Sequence, residues 1–244
     1  MIPLSDELPT VRTPWMTYAL LAAMLVVWVF VQGAGFDQQA LAASVCNLGM
    51  VPGELTHMAP LNTAVPLGGG MACVVDNDRI NILTPLISMF LHGGWGHLLG
   101  NCLFFWVFGN NIEDSLGSFR FLVFYLVCGL AAAAAHIISQ PTSPLPTVGA
   151  SGAISGVLGA YLVLYPRVRV RMLFIFFIVP IRAWLVLIWW FFWQLVAALP
   201  ELTGGADLTG GVAVWAHVGG FLTGVVLVKF FENRHLVVRR TRIA

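Results

Sequence analysis

Ser151 stands between Gly149 and Gly152 in the stretch PTVGASGAIS, residues 146–155, within a largely apolar region. A serine hydroxyl is a poor nucleophile until a base takes its proton, and histidine does that work near neutral pH. Two other apolar regions carry polar residues. One is HGGWGHLLGN, with His92, His97 and Asn101, and the other is WAHVGG, with His217. His97 and Asn101 are four apart and share one face of a helix. Attack of a serine on an amide carbonyl creates an oxyanion that needs preorganised donors. His97 and Asn101 can donate from side chains, and a helix starting at Ser151 would add free backbone N–H groups at the positive end of its dipole. Gly149 and Gly152 permit tight backbone geometry and close approach of a substrate. Glu113 and Asp114 fall at the far end of their apolar stretch, so the chemistry on offer is a Ser–His dyad rather than a triad.

Each of these residues also has a plainer reading. Small residues around a serine commonly pack membrane helices, and a lone intramembrane histidine can bond a neighbouring helix. His92, near a loop boundary, reads as a cap for its helix, and Ser155, one turn after Ser151, as a residue that packs or bonds back to its own helix. Cys102 and Cys128 read as packing residues, and His57, His136 and His235 are given no role. Gly220 and Gly224 lie one turn apart, a close-packing signal that would bring the last helix against the Ser151 helix.

The elements that must position these groups follow from composition. The chain has 244 residues, of which 59% are hydrophobic and 9% charged, with mean hydropathy +0.86. A soluble domain carries roughly 25% charged residues, so the composition indicates an all-α polytopic membrane protein. A net charge of +1 gives no bulk basic signal for nucleic acid. Without tandem repeats or a long linker, one membrane domain is expected: a short N-terminal segment, 1–14, a transmembrane core, 15–231, and a tail, 232–244. Asp6, Glu7 and Arg12 precede the first apolar run, unlike the basic start of a secretory signal, although ALAAS at Ala40–Ser44 faintly resembles a cleavage site.

Six spans are expected, at about Trp15–Val31, Leu86–Ile112, Phe119–Ser139, Gly149–Tyr165, Ala183–Leu199 and Val212–Phe231. Met172–Pro180 is apolar but short and reads as a buried or interfacial segment before the fifth helix. With the N-terminus in the cytoplasm, Arg79 is the one Lys or Arg of 12 that falls outside. That asymmetry fits an even number of spans with both ends inside. His97/Asn101, Ser151 and His217 then lie in the outer parts of the second, fourth and sixth helices, Ser151 and His217 about 5–10 Å below their helix starts. The outside holds one long loop, Gly33 to about Pro85, of a length that is usually functional or folded onto the surface. Its Cys46 and Cys73 read either as a pair, in an oxidising compartment, or as two unpaired small residues.

At HGGWGHLLGN, GASG and AHVGG, the last with Gly220 and Gly224, the chain resembles the rhomboid family of intramembrane serine proteases in its six-helix bacterial form. The resemblance covers nearly the whole chain. It implies Ser151 as nucleophile, His217 as general base, and His97, Asn101 and the Ser151 backbone N–H as the oxyanion hole. It implies transmembrane segments of other proteins as substrates, a bacterial cytoplasmic membrane as location, and no metal or cofactor; it leaves oligomeric state open. Two departures stand out. Members often carry Trp-Arg before the second helix, where this chain has Ile80-Asn81 with Arg79 shifted. Some members place an aromatic residue four positions after the nucleophile, packed on the base. Here that position is Ser155, so His217 must be held by other means. The run WWFFWQ, Trp189–Gln194, marks the fifth helix either as a lateral gate or as a lipid-facing aromatic surface. Two other functions compete. A catalytically silent membrane chaperone or retrotranslocation factor on the same scaffold would lose the serine or the histidine. A transporter would show paired intramembrane charges or inverted repeats.

Overall fold

The computed structural model describes residues 2–68, 70–202, 213–233 and 235–236. Arg234, Arg239, Arg240 and Arg242, the 237–244 part of the tail and the expected start of the sixth span at Val212 lie outside the described residues. Strand β1 (Ile2–Asp6) leads to helix α1 (Trp15–Phe30). Helix α1 buries Thr17, Leu20, Met24 and Trp28, one stripe at spacings of three and four, and leaves Leu25, Val26 and Phe30 outward. No side chain of its own caps its first turn. Glu113 does so from a distance: its carboxylate accepts from the Met16 N–H at 2.9 Å and from the Thr17 N–H and hydroxyl at 2.7 and 2.8 Å. Asp114 accepts from the Val11 N–H at 2.7 Å and pairs with Arg12 at 3.1 Å. The two carboxylates thus tie the N-terminal segment to the bundle.

Residues 33–90 build a folded cap. Helix α2 (Gln38–Leu48) is N-capped by Asp37, whose carboxylate accepts from the Gln39 and Ala40 N–H groups at 3.0 Å. A short helix α3 (Pro52–Leu55) precedes the antiparallel hairpin β2 (Ala64–Gly68) and β3 (Met71–Val74). The Cys46–Cys73 disulfide joins α2 to β3. The cap is sewn to the α6–α7 connection by the paired Met50 and Thr147 backbones and by Gly53 N–H to Ser143 O at 2.9 Å. A 3₁₀ turn (Arg79–Leu83), α4 (Thr84–Ile87) and a second 3₁₀ turn (Ser88–Phe90) follow. The second span, expected from Leu86, therefore begins later: the Gly93-Gly94 pair interrupts the chain, and α5 runs Trp95–Leu116. Gly117, at φ 88°, ends α5, and α6 (Ser118–Ser139) starts at once.

Helix α7 (Ser151–Leu164) is only 14 residues long, about 21 Å at 1.5 Å per residue, shorter than the ~30 Å hydrocarbon core of a bilayer. The segment Met172–Pro180, expected to be buried or interfacial, is part of a β-hairpin whose apolar tip, Ile175–Phe177, is exposed rather than buried. β4 (Arg169–Phe174) pairs with β5 (Phe177–Arg182) and with β1, in the order β1-β4-β5. Alternation is the cause: Val170 and Met172 face in, Arg169 and Arg171 face out, and Ile175 turns the chain at positive φ. The helical bundle thus carries two small sheets that the helical pattern of the sequence did not announce. Helices α8 (Ala183–Leu202) and α9 (Val214–Phe231) complete the fold.

Among the described residues, three helices, α6, α8 and α9, are long and apolar enough to cross a membrane, and α1 and α7 are shorter apolar helices. Their length and apolarity make this a polytopic helical membrane bundle. Its centre is α7, buried from Gly152 to Tyr161. There α7 meets α9 at backbone distance. A Cβ on Gly220 would stand 2.0 Å from Gly152 O, and one on Gly224 would stand 1.9 Å from Gly156 O. Only glycine fits such a seam.

Candidate active site

Gly149 sets the turn into α7. Its φ of 130° lies in the region L side chains rarely adopt, and its N–H donates to Ser88 O at 2.9 Å. A Cβ at this position would stand 2.6 Å from His97 Nε2 and 3.5 Å from Ser151 Oγ. The glycine therefore keeps His97 and Ser151 around one small space. Ser151 is the first residue of α7. The helix expected above it, about 5–10 Å long, is therefore not there. Helix bonding begins with Ile154 N–H donating to Ala150 O at 3.0 Å, so the first-turn N–H groups have no i−4 acceptor within the helix.

His217, in the first turn of α9, reaches Ser151 across the glycine seam. His217 Nε2 lies 2.8 Å from Ser151 Oγ. The ring is 8% exposed, so its second nitrogen needs a partner from the protein. That partner is Gln194 of α8, with Oε1 2.8 Å from His217 Nδ1. The Trp190 ring, one turn earlier on α8, has its centroid 5.9 Å from that of His217. Gln194 and Trp190 are thus the α8 side chains that stand against His217. Ser155 itself is buried and donates its hydroxyl back to Ser151 O at 2.6 Å. Gln194 escaped the sequence reading, although a polar residue inside WWFFWQLV was a signal in plain view.

On the other side of Ser151, Gly93 N–H donates to His97 Nδ1 at 3.3 Å. In a neutral ring that leaves Nε2 as the protonated nitrogen, and Nε2 is the atom turned toward Gly149. Asn101, one turn on, is 7% exposed, and its Nδ2 has no acceptor among the described residues. It is not among the residues that line the cavity. His92 is fully buried, its ring edge-on to His97 at 5.2 Å. Its backbone bonds to the residue just after α1: Gln32 accepts from His92 N–H and donates to His92 O, each at 2.8 Å. His136 meets Thr147 Oγ1 at 3.2 Å and so ties α6 to the segment before GASG.

A cavity of about 890 Å³ opens over this group. Ser151, His217, His97, Gly149 and Gly152 line its floor, and Leu41 and Val45 of α2 with Leu67 and Met71 of the hairpin line the cap side. Glu113 and Asp114 are absent from it, consumed at the other end by α1 and Arg12. The arrangement gives a hydroxyl, an imidazole within hydrogen-bond reach of it, a second imidazole and a helix N-terminus, all facing one cavity whose remaining walls are largely apolar. Such a set can carry out acyl transfer.

The Rhomboid domain family matches residues 79–234. Rhomboid protease GluP of Bacillus subtilis is 42% identical over 89 residues, 36% of this chain and 16% of its own length. Mitochondrial Rhomboid protein 1 of Saccharomyces cerevisiae is 32% identical over 143 residues, 57% of this chain and 39% of that protein. Rhomboid protease AarA of Providencia stuartii is 31% identical over 154 residues, 58% and 53% of the two chains. The chain thus spans about half or less of the length of these relatives. The matched region runs from the 3₁₀ turn before α5 to the end of α9 and contains Ser151, His217, His97 and Asn101: the chain belongs to the rhomboid family.

Proposed function

We propose that this protein is an intramembrane serine endopeptidase that hydrolyses peptide bonds in or near transmembrane segments of other membrane proteins. The observation that carries the reading is the 2.8 Å contact between Ser151 Oγ and His217 Nε2 at the floor of a cavity within a membrane bundle. His217 Nε2 takes the Ser151 proton as Oγ attacks the scissile carbonyl carbon. The carbonyl oxygen becomes an oxyanion, stabilised by His97 Nε2–H, Asn101 Nδ2–H and the Ser151 backbone N–H. Collapse of the intermediate breaks the C–N bond. His217 delivers its proton to the leaving amine, and an acyl-enzyme ester remains on Ser151. Water, activated by the same imidazole, attacks the ester, and the proton returns to Ser151 Oγ. The cavity supplies that water, because polar groups at membrane depth are tolerated where they line a wet space.

The residues need no metal or cofactor for these steps. The arginine distribution supports cytoplasmic termini and a cavity that opens to the external side, in a bacterial cytoplasmic membrane. A silent scaffold would not need a serine and a histidine held at hydrogen-bond distance. The test is cleavage of a transmembrane substrate by purified protein in detergent, with labelling by a fluorophosphonate in parallel. Ser151→Ala should lose both. His97→Ala and Asn101→Ala should each lower turnover about 10²–10³-fold while labelling persists. Cleavage by Ser151→Ala at the wild-type rate would reject the proposal.

A further inference from the structure

We propose that Gln194 is a positioning residue for His217, the third member of a Ser–His–Gln relay that bridges three helices. The inference rests on the serine-protease reading for its catalytic consequence, but the contact itself does not. For His217 Nε2 to accept the Ser151 proton, the neutral ring must carry its own proton on Nδ1. A buried Nδ1–H without an acceptor is costly; among the described residues, Glu113 and Asp114 are committed to α1 and Arg12 and do not reach His217. Gln194 Oε1, 2.8 Å from Nδ1, is the acceptor. It selects the tautomer with a free Nε2 lone pair and fixes the ring plane toward Ser151. A neutral amide does this without placing a second charge in the apolar bundle, where an unpaired carboxylate would be expensive. An asparagine amide plays the corresponding part in Cys–His–Asn proteases.

The contact also crosses a helix boundary. Ser151 is on α7 and His217 on α9, but Gln194 is on α8, whose outward face is the apolar series Trp189, Phe192 and Trp193. Alignment of the base therefore depends on α8 lying against α9. A displacement of α8 large enough to break a 2.8 Å bond frees the imidazole to rotate.

The experiment uses the full-length protein in detergent, labelled with ¹⁵N-histidine, the His217 signals being identified by their loss in His217→Ala. In wild type the His217 nitrogens should show a protonated Nδ1 and an unprotonated Nε2. Gln194→Met, which keeps the side-chain length, and Gln194→Ala should mix the tautomers. Gln194→Glu, which keeps an acceptor, should retain the wild-type form. In parallel, kcat on a transmembrane substrate should fall on the order of 10–10²-fold in Met and Ala with KM little changed, and recover in Glu. Thermal melting checks that Gln194→Met folds. An unchanged His217 spectrum in folded Gln194→Met overturns the inference. A changed spectrum in a protein that cleaves nothing and takes no fluorophosphonate keeps the contact and rejects the protease reading, so the two failures are distinct.

Discussion

Helix α9 has two seams built on opposite plans. Toward α7 it has almost no side chains: Gly220 and Gly224 lie against the carbonyls of Gly152 and Gly156. Toward α8 it meets large rings, with Phe191 stacked on Phe221 at 4.5 Å and Trp190 at 6.0 Å. The first seam has no slack, because backbone cannot yield to backbone. The second is made of side chains that have rotamers to spare, on a helix whose other face is exposed at Leu185, Ile188, Trp189, Phe192 and Trp193. The site straddles both. Ser151 to His217 spans the tight seam, and His217 to Gln194 spans the loose one. The difference teaches that the Ser151–His217 contact is set by backbone packing, whereas the His217–Gln194 contact rests on packing between side chains.

Breaking the tight seam should have the largest effect. In Gly220→Ala or Gly224→Ala the new methyl would meet a carbonyl oxygen at about 2 Å, so α9 must move away from α7. Overpacking of one methyl costs about 1–3 kcal/mol in a core, and a backbone clash belongs at the upper end. Melting in detergent should drop by several degrees, and fluorophosphonate labelling of Ser151 should be lost as His217 withdraws. A fully active Gly224→Ala would mean that the seam is not what sets the dyad distance.

Loosening the other seam should act differently. Phe191→Ala removes the ring stacked on Phe221 but leaves α9 seated on α7. Melting should change little, while kcat should fall up to about 10-fold as Gln194 loses its hold on His217. Because both residues act through one contact, Phe191→Ala added to Gln194→Ala should cost almost nothing more, a coupling that a double-mutant cycle measures. Additive losses would separate the aromatic seam from the base.

The tight seam was legible in the sequence and the loose one was not. Gly220 and Gly224 one turn apart, with GASG and AHVGG, announced close helices and a serine beside a histidine, because glycine spacing has few other meanings in a membrane. Gln194 stayed hidden because one amide in an aromatic run carries no register, and its role depends on where α8 sits against α9. Local alternation was overlooked for a similar reason: in an apolar chain, the period of two in Arg169–Phe174 was masked by the hydrophobic tip Ile175–Phe177. The start of α5 slipped from Leu86 to Trp95 because Ser88–Phe90 continues helically as a 3₁₀ turn before Gly93-Gly94 breaks it. Cys46 and Cys73 were two open readings until the hairpin fold brought β3 beside α2.

The cap offers the smallest effect and the sharpest control, since it touches neither seam of α9. Glu54 in α3 is buried, and its carboxylate accepts from the Asp76 N–H at 3.1 Å. Burial raises its pKa above the ordinary 4.5. The Asp76 N–H opposes the shift, while the charges of Asp76 and Asp78 add to it. The folded protein then holds the Glu54 proton more tightly than the unfolded chain does. Its contribution to stability is greatest below the unfolded pKa and declines as pH rises through the folded value. Glu54→Gln keeps an oxygen for the Asp76 N–H but has nothing to ionise. Between pH 7 and 8 the variant should melt higher than wild type by no more than a few degrees, the scale of about 1 kcal/mol in a chain of this size, and the advantage should shrink toward pH 4. Turnover by Ser151 should match wild type at every pH. If Glu54→Gln instead alters the pH dependence of cleavage, the cap and the α9 seams are coupled, and the contrast between backbone packing and side-chain packing must extend to the loop above them.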